Sequence, residues 1–579
     1  MAMRTFFLGL AVVSAVQGNV IGTRTQVGSR SGSAVASAES PTVYIDTYTS
    51  YVQGNRSEYI NSVYNFKAIP FASAPTGEYR WRHPQHVSGW TGIRDATKFA
   101  PACPQSGVTD YSEDCLYLNI WTPDSVKLNN VVNNTDTGIG VVPANTTETL
   151  PVYIFFHGGR FASGTTSDPT FDGAGLAAKG VVVVTVSYRM GALGFLAHPE
   201  LSATSGSNSS GNYGLVDQEA ALHWTNENIA SFGGDYTRIT IGGQSAGAAS
   251  ALDHLNTNLA AGLFEQVIAE SGATYPSNPL IGSLAESYRQ LSTAEEQGVS
   301  YLASIGIKNI TAARAAPVEL FLDSGNLNDE TFKNTVFANN SAYIEPPLFR
   351  PVLDGYVLPA TYQEMLIRGD RAIVPVLTGG NLDENGATPS PGFTVASYKA
   401  QAAYEFGSVG MADEYFKLWP AGSSNESADN ALNTFYRDQT KVSVWRWASE
   451  YLAGSKRNVS ITGSDDTYQT WTYYWTHAPP GQDEGAYHGS ELNYAFNNLY
   501  ATDLPWTTED YEIADKLSSY WANFISTGNP NGDGLAHWPE ATADSAVLME
   551  LGDAWKTVEA ASEAKISFME KWFSKWPVY

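Results

Sequence analysis

The feature that most limits what this chain can fold into is the run Gly242-Gly243-Gln244-Ser245-Ala246-Gly247. It follows the apolar stretch Arg238-Ile239-Thr240-Ile241 and precedes the small residues Ala248, Ala249 and Ser250. That order reads as strand, sharp turn and helix, with a serine at the apex. Glycine is required on both flanks because a Cβ there would crowd neighbouring backbone. The turn lifts the serine hydroxyl above the strand end, and the helix N-terminus beneath adds positive potential where an oxyanion would form. A plain glycine-rich turn is the alternative, but the flanking strand and helix favour a nucleophile at Ser245.

Other short apolar runs read as buried strands: Leu116 to Trp121, Val152 to Phe156, Val181 to Val186 and Val374 to Leu377. The four consecutive valines from Val181 suit a parallel strand covered on both faces. Helix-compatible stretches such as Leu215 to Ile229 lie between them, and strands alternating with helices predict a doubly wound α/β sheet. Thr467 to Thr476 alternates aromatic and polar residues and reads as a further strand or an aromatic helix face. The polar stretch from Ser125 to Thr149 reads as a surface loop, and no internal repeat is visible.

The runs Asn212-Tyr213-Gly214-Leu215-Val216-Asp217-Gln218 and Asn228-Ile229-Ala230-Ser231-Phe232-Gly233-Gly234-Asp235 precede the serine turn. Together with it they resemble the type-B carboxylesterase/lipase family, which includes cholinesterases, bile-salt lipases and secreted fungal lipases. The resemblance extends from Ile69-Pro70-Phe71-Ala72 and Glu113-Asp114-Cys115-Leu116-Tyr117-Leu118-Asn119 to Thr527-Gly528-Asn529-Pro530-Asn531 and Trp538-Pro539. It implies an α/β-hydrolase fold, with a large, mostly parallel mixed sheet flanked by helices, in one catalytic domain over residues 41–579. It also implies a serine esterase. A serine hydroxyl is a poor nucleophile without a base. The resemblance selects His488 as that base, with His477 as runner-up and His157 as structural. It selects Glu384 as the acid that orients the base, with Asp383 as fallback because Asn385 stands before Gly386. It places the oxyanion donors on the backbone N–H groups of Gly159, Arg160 and Ala246.

Two residues depart from the family pattern. Arg160 stands where the family has glycine in the loop His157-Gly158-Gly159-Arg160-Phe161. A positive φ there would cost a non-glycine residue about 1–2 kcal/mol. Its guanidinium either reaches the substrate pocket to bind a carboxylate bidentately or pairs with an acidic scaffold residue. Gln244 replaces the glutamate that cholinesterase-like relatives carry before the serine. With Glu491 it falls where the family has a polar network behind the catalytic residues, although packing roles fit both equally. Phe161, Ser271 and Phe337 are expected to line the substrate pocket.

Composition narrows the setting. The net charge is −26, from 59 acidic and 33 basic residues. That excess disfavours nucleic acid and anionic membrane surfaces as partners. No Cys/His cluster has zinc spacing and no glycine loop suits a phosphate, so neither metal nor organic cofactor is expected. Arg4, the apolar stretch Phe6 to Val16, and Val16 and Gly18 at the −3 and −1 positions read as a signal peptide over residues 1–18. Residues 19–40 read as a flexible leader. Eight Asn-x-Ser/Thr sequons, at Asn55, Asn133, Asn145, Asn208, Asn309, Asn339, Asn425 and Asn458, predict N-glycans on a secreted, extracellular protein. The two cysteines, Cys103 and Cys115, are expected to pair in an oxidising compartment.

These features predict hydrolysis of small to medium esters, possible carboxylate-bearing ones included, with a small-molecule ester as the partner. A lidless lipase and a non-catalytic adhesion protein are the other readings. The stretch between Cys103 and Cys115 holds eleven residues and no Trp. Choline esters are therefore not the expected substrates, and the stretch is too short for the lid that this disulfide loop forms in fungal lipases. Hydrolysis of a dispersed long-chain triglyceride should rise smoothly through its solubility limit. A jump at that limit would contradict the absence of a lid.

Overall fold

The computed structural model describes residues 40–576 except 46–49, 135–137, 143–148, 282–286, 370 and 463–467. The signal peptide and nearly all of the predicted leader lie outside the described residues. Eleven strands form one sheet: β1 (Asn55–Arg56), β2 (Val63–Pro70), β3 (Tyr117–Pro123), β4 (Leu150–Phe156), β5 (Val182–Val186), β6 (Gly234–Gln244), β7 (Gln266–Glu270), β8 (Val376–Asn381), β9 (Thr470–Trp475), β10 (Val547–Leu551) and β11 (Lys556–Glu559). Their order across the sheet is β11-β10-β9-β8-β7-β6-β4-β5-β3-β2-β1. All pairings from β10 to β5 are parallel, and the outer pairs are antiparallel. This is the mostly parallel mixed sheet expected from the sequence.

Period-two alternation explains the continuous apolar runs. In β4, Val152, Ile154 and Phe156 join one core cluster, while Tyr153 and Phe155 join the other. In β5, Val182, Val184 and Val186 face the first cluster and Val183 the second. A strand buried on both faces has no place for a polar face. Helix α1 (Tyr213–Asn228) and helix α2 (Ala246–Asn256) contribute Leu215, Leu222, Ala248 and Leu252 to the first cluster. On the opposite face, Trp471, Tyr473 and Trp475 of β9 pack with Leu517, Tyr520, Trp521 and Phe524. Those four belong to helix α5 (Thr508–Thr527), which follows helices α3 (Val395–Gly407) and α4 (Asn425–Thr462) and precedes α6 (Glu563–Phe573). Thr467 to Thr476 thus contains a strand and not a helix face.

Two expectations are corrected. The strand read at Val374 to Leu377 begins at Val376 and continues through Gly379 and Gly380 to Asn381. Gly379 looks like a turn residue, but an added Cβ there would lie 2.4 Å from the Tyr473 ring on β9. The aromatic side chain of the neighbouring strand fills the space. The stretch from Ser125 to Thr149 is also more than a loop. Asn130–Asn134 pairs with Gly138–Val142 as an antiparallel hairpin, which joins a separate five-stranded sheet through Thr42–Ile45. The β-branched Val131, Val132, Ile139, Val141 and Val142 carry that strand propensity within a polar composition.

Helices α3, α4 and α6 enclose a third cluster rich in aromatic residues, including Phe406, Phe435, Trp445 and Trp572. Glu405 of α3 is buried in this region and accepts a bond from the Ser341 N–H at 3.3 Å. Burial pushes its carboxyl from the ordinary 4.5 up to about 8. The stabilising neutral form is complete below about pH 4.5 and is lost as pH rises through about 8. Glu405→Gln should therefore flatten the fall in stability between pH 5 and pH 8. At pH 8 the variant should gain about 3–5 kcal/mol over the parent in urea unfolding. Parallel pH dependences for the two proteins would refute the burial of a proton at Glu405.

Candidate active site

β6 ends at Gln244, α2 begins at Ala246, and Ser245 forms the bend between them. Its φ of 57° and ψ of −120° lie in a region that costs a non-glycine residue about 1–3 kcal/mol. Two close approaches enforce it. A Cβ on Gly243 would lie 2.4 Å from the Phe156 carbonyl oxygen, and one on Gly247 would lie 1.9 Å from the same oxygen. The Ser245 N–H donates to the Glu270 carbonyl at the end of β7 at 2.9 Å, and the Ser245 carbonyl accepts from the Ala249 N–H at 2.9 Å. The bend is thus held between two parallel strands and the first turn of a helix.

The loop after β4 lies against this bend: a Cβ on Gly158 would stand 3.3 Å from Ser245 Cβ. Among the described residues, the Gly159 and Arg160 N–H groups have no hydrogen-bond acceptor. Ala246 opens α2, where an N–H has no partner within the helix. The three predicted donors are therefore backbone N–H groups of the kind that can receive an oxyanion. Arg160 adopts φ 59° and Phe161 φ 58°, so the strained conformation persists without glycine. His157 behind the loop is buried, stacks on Tyr188 with ring centroids 4.5 Å apart, and hydrogen-bonds the Gly158 carbonyl at 2.9 Å. Burial lowers it to about 4, so it is neutral.

His488 Nδ1 lies 2.6 Å from Glu384 Oε2. The other carboxylate oxygen of Glu384 accepts from the Asn381 N–H at 2.5 Å and from the Ser271 hydroxyl at 3.1 Å. Asn385 takes φ 55°, a conformation asparagine tolerates, so the interposed residue leaves Glu384 beside the histidine. Asp383 is engaged elsewhere, with Arg437 Nη2 at 2.6 Å and the Ala486 N–H at 3.0 Å. It ties the loop carrying His488 to the loop carrying Glu384. His477 bonds Asp553 and Asp510 at 2.6 and 3.0 Å and touches neither Ser245 nor Glu384.

Gln244 Nε2 stands 3.1 Å from His488 Nε2. With Nδ1–H donated to Glu384, Nε2 is the lone-pair nitrogen of neutral imidazole, and the carboxamide donates to it. Glu491 accepts from the Asn381 side chain at 2.5 Å, and the same amide bonds the Tyr487 carbonyl at 2.8 Å. Burial raises Glu491 to about 7, with the Asn381 bond opposing and the charge of Glu384 adding to the rise. Buried Glu270 is likewise pushed well up by burial and then by Glu491. Both expected network residues thus adjoin the His488–Glu384 pair.

The three expected lining residues are placed differently. Phe161 is fully buried against Phe195, 5.0 Å away, because the turned backbone of the loop directs its ring into the core. Phe337 packs with Phe332 and Trp576 in the third cluster. Ser271, just after β7, bonds Glu384, a role nothing in its local sequence signals. Arg160 donates from Nη2 to the Glu345 carbonyl at 2.7 Å. Among the described residues no carboxylate lies within salt-bridge distance of it, so the expected scaffold ion pair is absent. Burial, and then the charge of Arg350, disfavour its own charge. Cys103 and Cys115 form a disulfide, with Cα atoms 5.1 Å apart. The short stretch between them is pinned to the oxyanion loop by Gln105, whose amide exchanges bonds of 2.8 and 2.7 Å with Gly164. Among the described residues no helix is long and apolar enough to cross a membrane, and no group of acidic, His or Cys side chains is suited to a metal.

A family model described as "Carboxylesterase family" matches residues 39–569. The chain is 33% identical over 521 residues to a fumonisin B1 esterase of Sphingopyxis macrogoltabida, covering 87% of this chain and 85% of that protein. It is 29% identical over 528 residues to a para-nitrobenzyl esterase of Bacillus subtilis, covering 87% and 94%. Among solved structures, a Geobacillus stearothermophilus carboxylesterase superposes with a TM-score of 0.69 at 28% identity, over 91% of this chain and 99% of that one.

Gln244→Glu should move the acid limb of the kcat/KM pH profile upward. A carboxylate beside His488 Nε2 stabilises the imidazolium, adding to the Glu384 carboxylate already paired with it, so the imidazole protonates at higher pH. An acid limb that stays in place while kcat alone falls would show that Gln244 does not face the base.

Proposed function

We propose, from the premise that this chain belongs to the carboxylesterase family and is a carboxylic ester hydrolase of α/β-hydrolase fold, that it works through an acyl-enzyme on Ser245. The observation that carries this reading is the strained Ser245 bend beside an oxyanion-type loop, with His488 tied through Nδ1 to Glu384 at 2.6 Å. His488 Nε2 takes the hydroxyl proton as Ser245 Oγ bonds the ester carbonyl carbon. The N–H groups of Gly159, Arg160 and Ala246 receive the oxyanion. His488 returns the proton to the alkoxide as the C–O bond breaks and the alcohol departs. Water then attacks the acyl-enzyme by the same route, releasing the acid and restoring Ser245. Glu384 holds the imidazole in register and offsets its positive charge.

The substrates are small to medium esters that carry a carboxylate. Arg160 supports this, because its backbone belongs to the oxyanion loop and no carboxylate of the described scaffold neutralises its guanidinium. One donor is spent on Glu345, which leaves a planar fork of N–H groups for a bidentate partner. The protein acts outside the cell. Its eight sequons and its disulfide support that setting, and Asn208, Asn309 and Asn425 stand exposed.

Arg160→Gly keeps the backbone donor and relieves the positive φ. It should raise KM for a carboxylate-bearing nitrophenyl ester by about tenfold or more, as expected for loss of a charge-assisted bond. KM for the neutral ester of equal length should stay within about twofold. Equal changes for both esters would overturn the carboxylate reading and leave the acyl-enzyme mechanism untouched.

A further inference from the structure

A pocket of about 300 Å³ has no lining residue in common with the Ser245 site. At roughly 30 Å³ per water it has room for about ten waters, which suits a small organic molecule. Leu201, Tyr213, Val216 and Val357 give it an apolar wall, residues such as Thr204, Ser209 and Asn212 add polar groups, and Arg82 and Arg314 contribute two guanidinium groups. His83 adds a third nitrogenous group at the rim.

The backbone at Arg82 and the side chain of Arg314 are held from behind. The Arg82 carbonyl accepts from Arg189 Nη2 at 2.8 Å, and Arg189 is fixed by its buried ion pair with Asp217 at 2.7 Å. Arg314 donates from Nε to the Arg80 carbonyl at 3.0 Å, and Arg80 is fixed by its ion pair with Glu113 at 2.6 Å. Among the described residues neither Arg82 nor Arg314 has a carboxylate within 4.0 Å, although the chain carries 59 acidic residues. Burial and the neighbouring charge of Arg82 both disfavour the charge on Arg314, with Glu78 opposing from nearby. The acid in the lining, Asp354, is already engaged: Oδ1 accepts from the N–H groups of Tyr356, Val357 and Leu358 at 2.9–3.1 Å.

Two guanidinium groups that contact no carboxylate of the described residues, beside an apolar wall, form a site for an anion on an apolar body. We propose that this pocket binds a small organic carboxylate, its charge between Arg82 and Arg314 and its hydrocarbon portion against Tyr213 and Val216. This occupancy is separate from ester cleavage at Ser245. It places the acid half of an ester, the class of product that a carboxylic ester hydrolase releases, at a second position on the molecule.

The probe is 4-phenylbutyrate, with 4-phenylbutan-1-ol as its uncharged counterpart, titrated calorimetrically into the full chain. Arg82→Gln/Arg314→Gln should weaken 4-phenylbutyrate at this site by about tenfold or more. Hydrolysis of a neutral nitrophenyl ester should be unchanged in that variant, and Arg160→Gly should keep the site. Arg82→Gln alone changes one exposed side chain and serves if the double variant is unstable. The proposal is overturned if the parent binds no 4-phenylbutyrate, if the alcohol binds as tightly as the acid, or if loss of the two guanidiniums leaves the dissociation constant unchanged.

Discussion

The contact between the Phe156 carbonyl and Gly243 and Gly247 governs the geometry of the whole active site. It brings the end of β4 against the turn between β6 and α2 at distances no Cβ could survive. Ser245 has no relaxed backbone conformation available there and takes φ 57°. The chain that leaves β4 at Phe156 continues directly into His157, Gly158, Gly159 and Arg160. One backbone approach therefore positions Ser245 and the loop facing it together. Burial of β4 on both faces fixes the anchor point, so the strain at Ser245 is sustained by packing across the sheet.

Charge inside the site is managed differently from charge on the surface. The chain carries a net −26, yet the groups nearest the reacting atoms are arranged to limit negative charge. Burial keeps Glu270 and Glu491 above their ordinary range, so the Glu384 carboxylate is the anion paired with His488. Gln244 presents a neutral amide where a carboxylate would favour the imidazolium. Arg160 adds a cation on the oxyanion-type loop, bonded to the Glu345 carbonyl. Under the proposed function an anionic ester would meet less repulsion there than on the surrounding surface, which would connect the departures at positions 160 and 244 to that proposed substrate class.

Much of this was legible in the sequence because it rests on local pattern. The strand–turn–helix around Ser245, the continuous valines of β5 and the alternating aromatics of β9 each state their conformation within a few residues. Residues whose roles depend on distant partners were less legible. Phe161 follows an oxyanion-type loop and so looks like pocket lining, but the positive φ at 160 and 161 turns its ring into the core. Ser271 reads as lining and bonds Glu384 because β7 and β8 are parallel neighbours. Gly379 and Gly380 look like a turn and are strand, since the Tyr473 ring occupies the missing Cβ position on β9. The hairpin at Asn130–Val142 was hidden by its polar composition. Local propensity cannot report a side chain supplied by another strand.

In the proposed mechanism Ser245 carries a covalent acyl group during turnover. Intact-mass spectrometry of the full chain, quenched with acid within milliseconds of mixing with a slowly deacylating nitrophenyl ester, tests it most directly. The expected result is a mass gain of one acyl group, mapped by peptide digestion to the segment containing Ser245. The gain should be absent in Ser245→Ala and slowed by about a thousandfold or more in His488→Ala. Ester cleavage without any acylated protein, or an acyl group mapped to another residue, would contradict it.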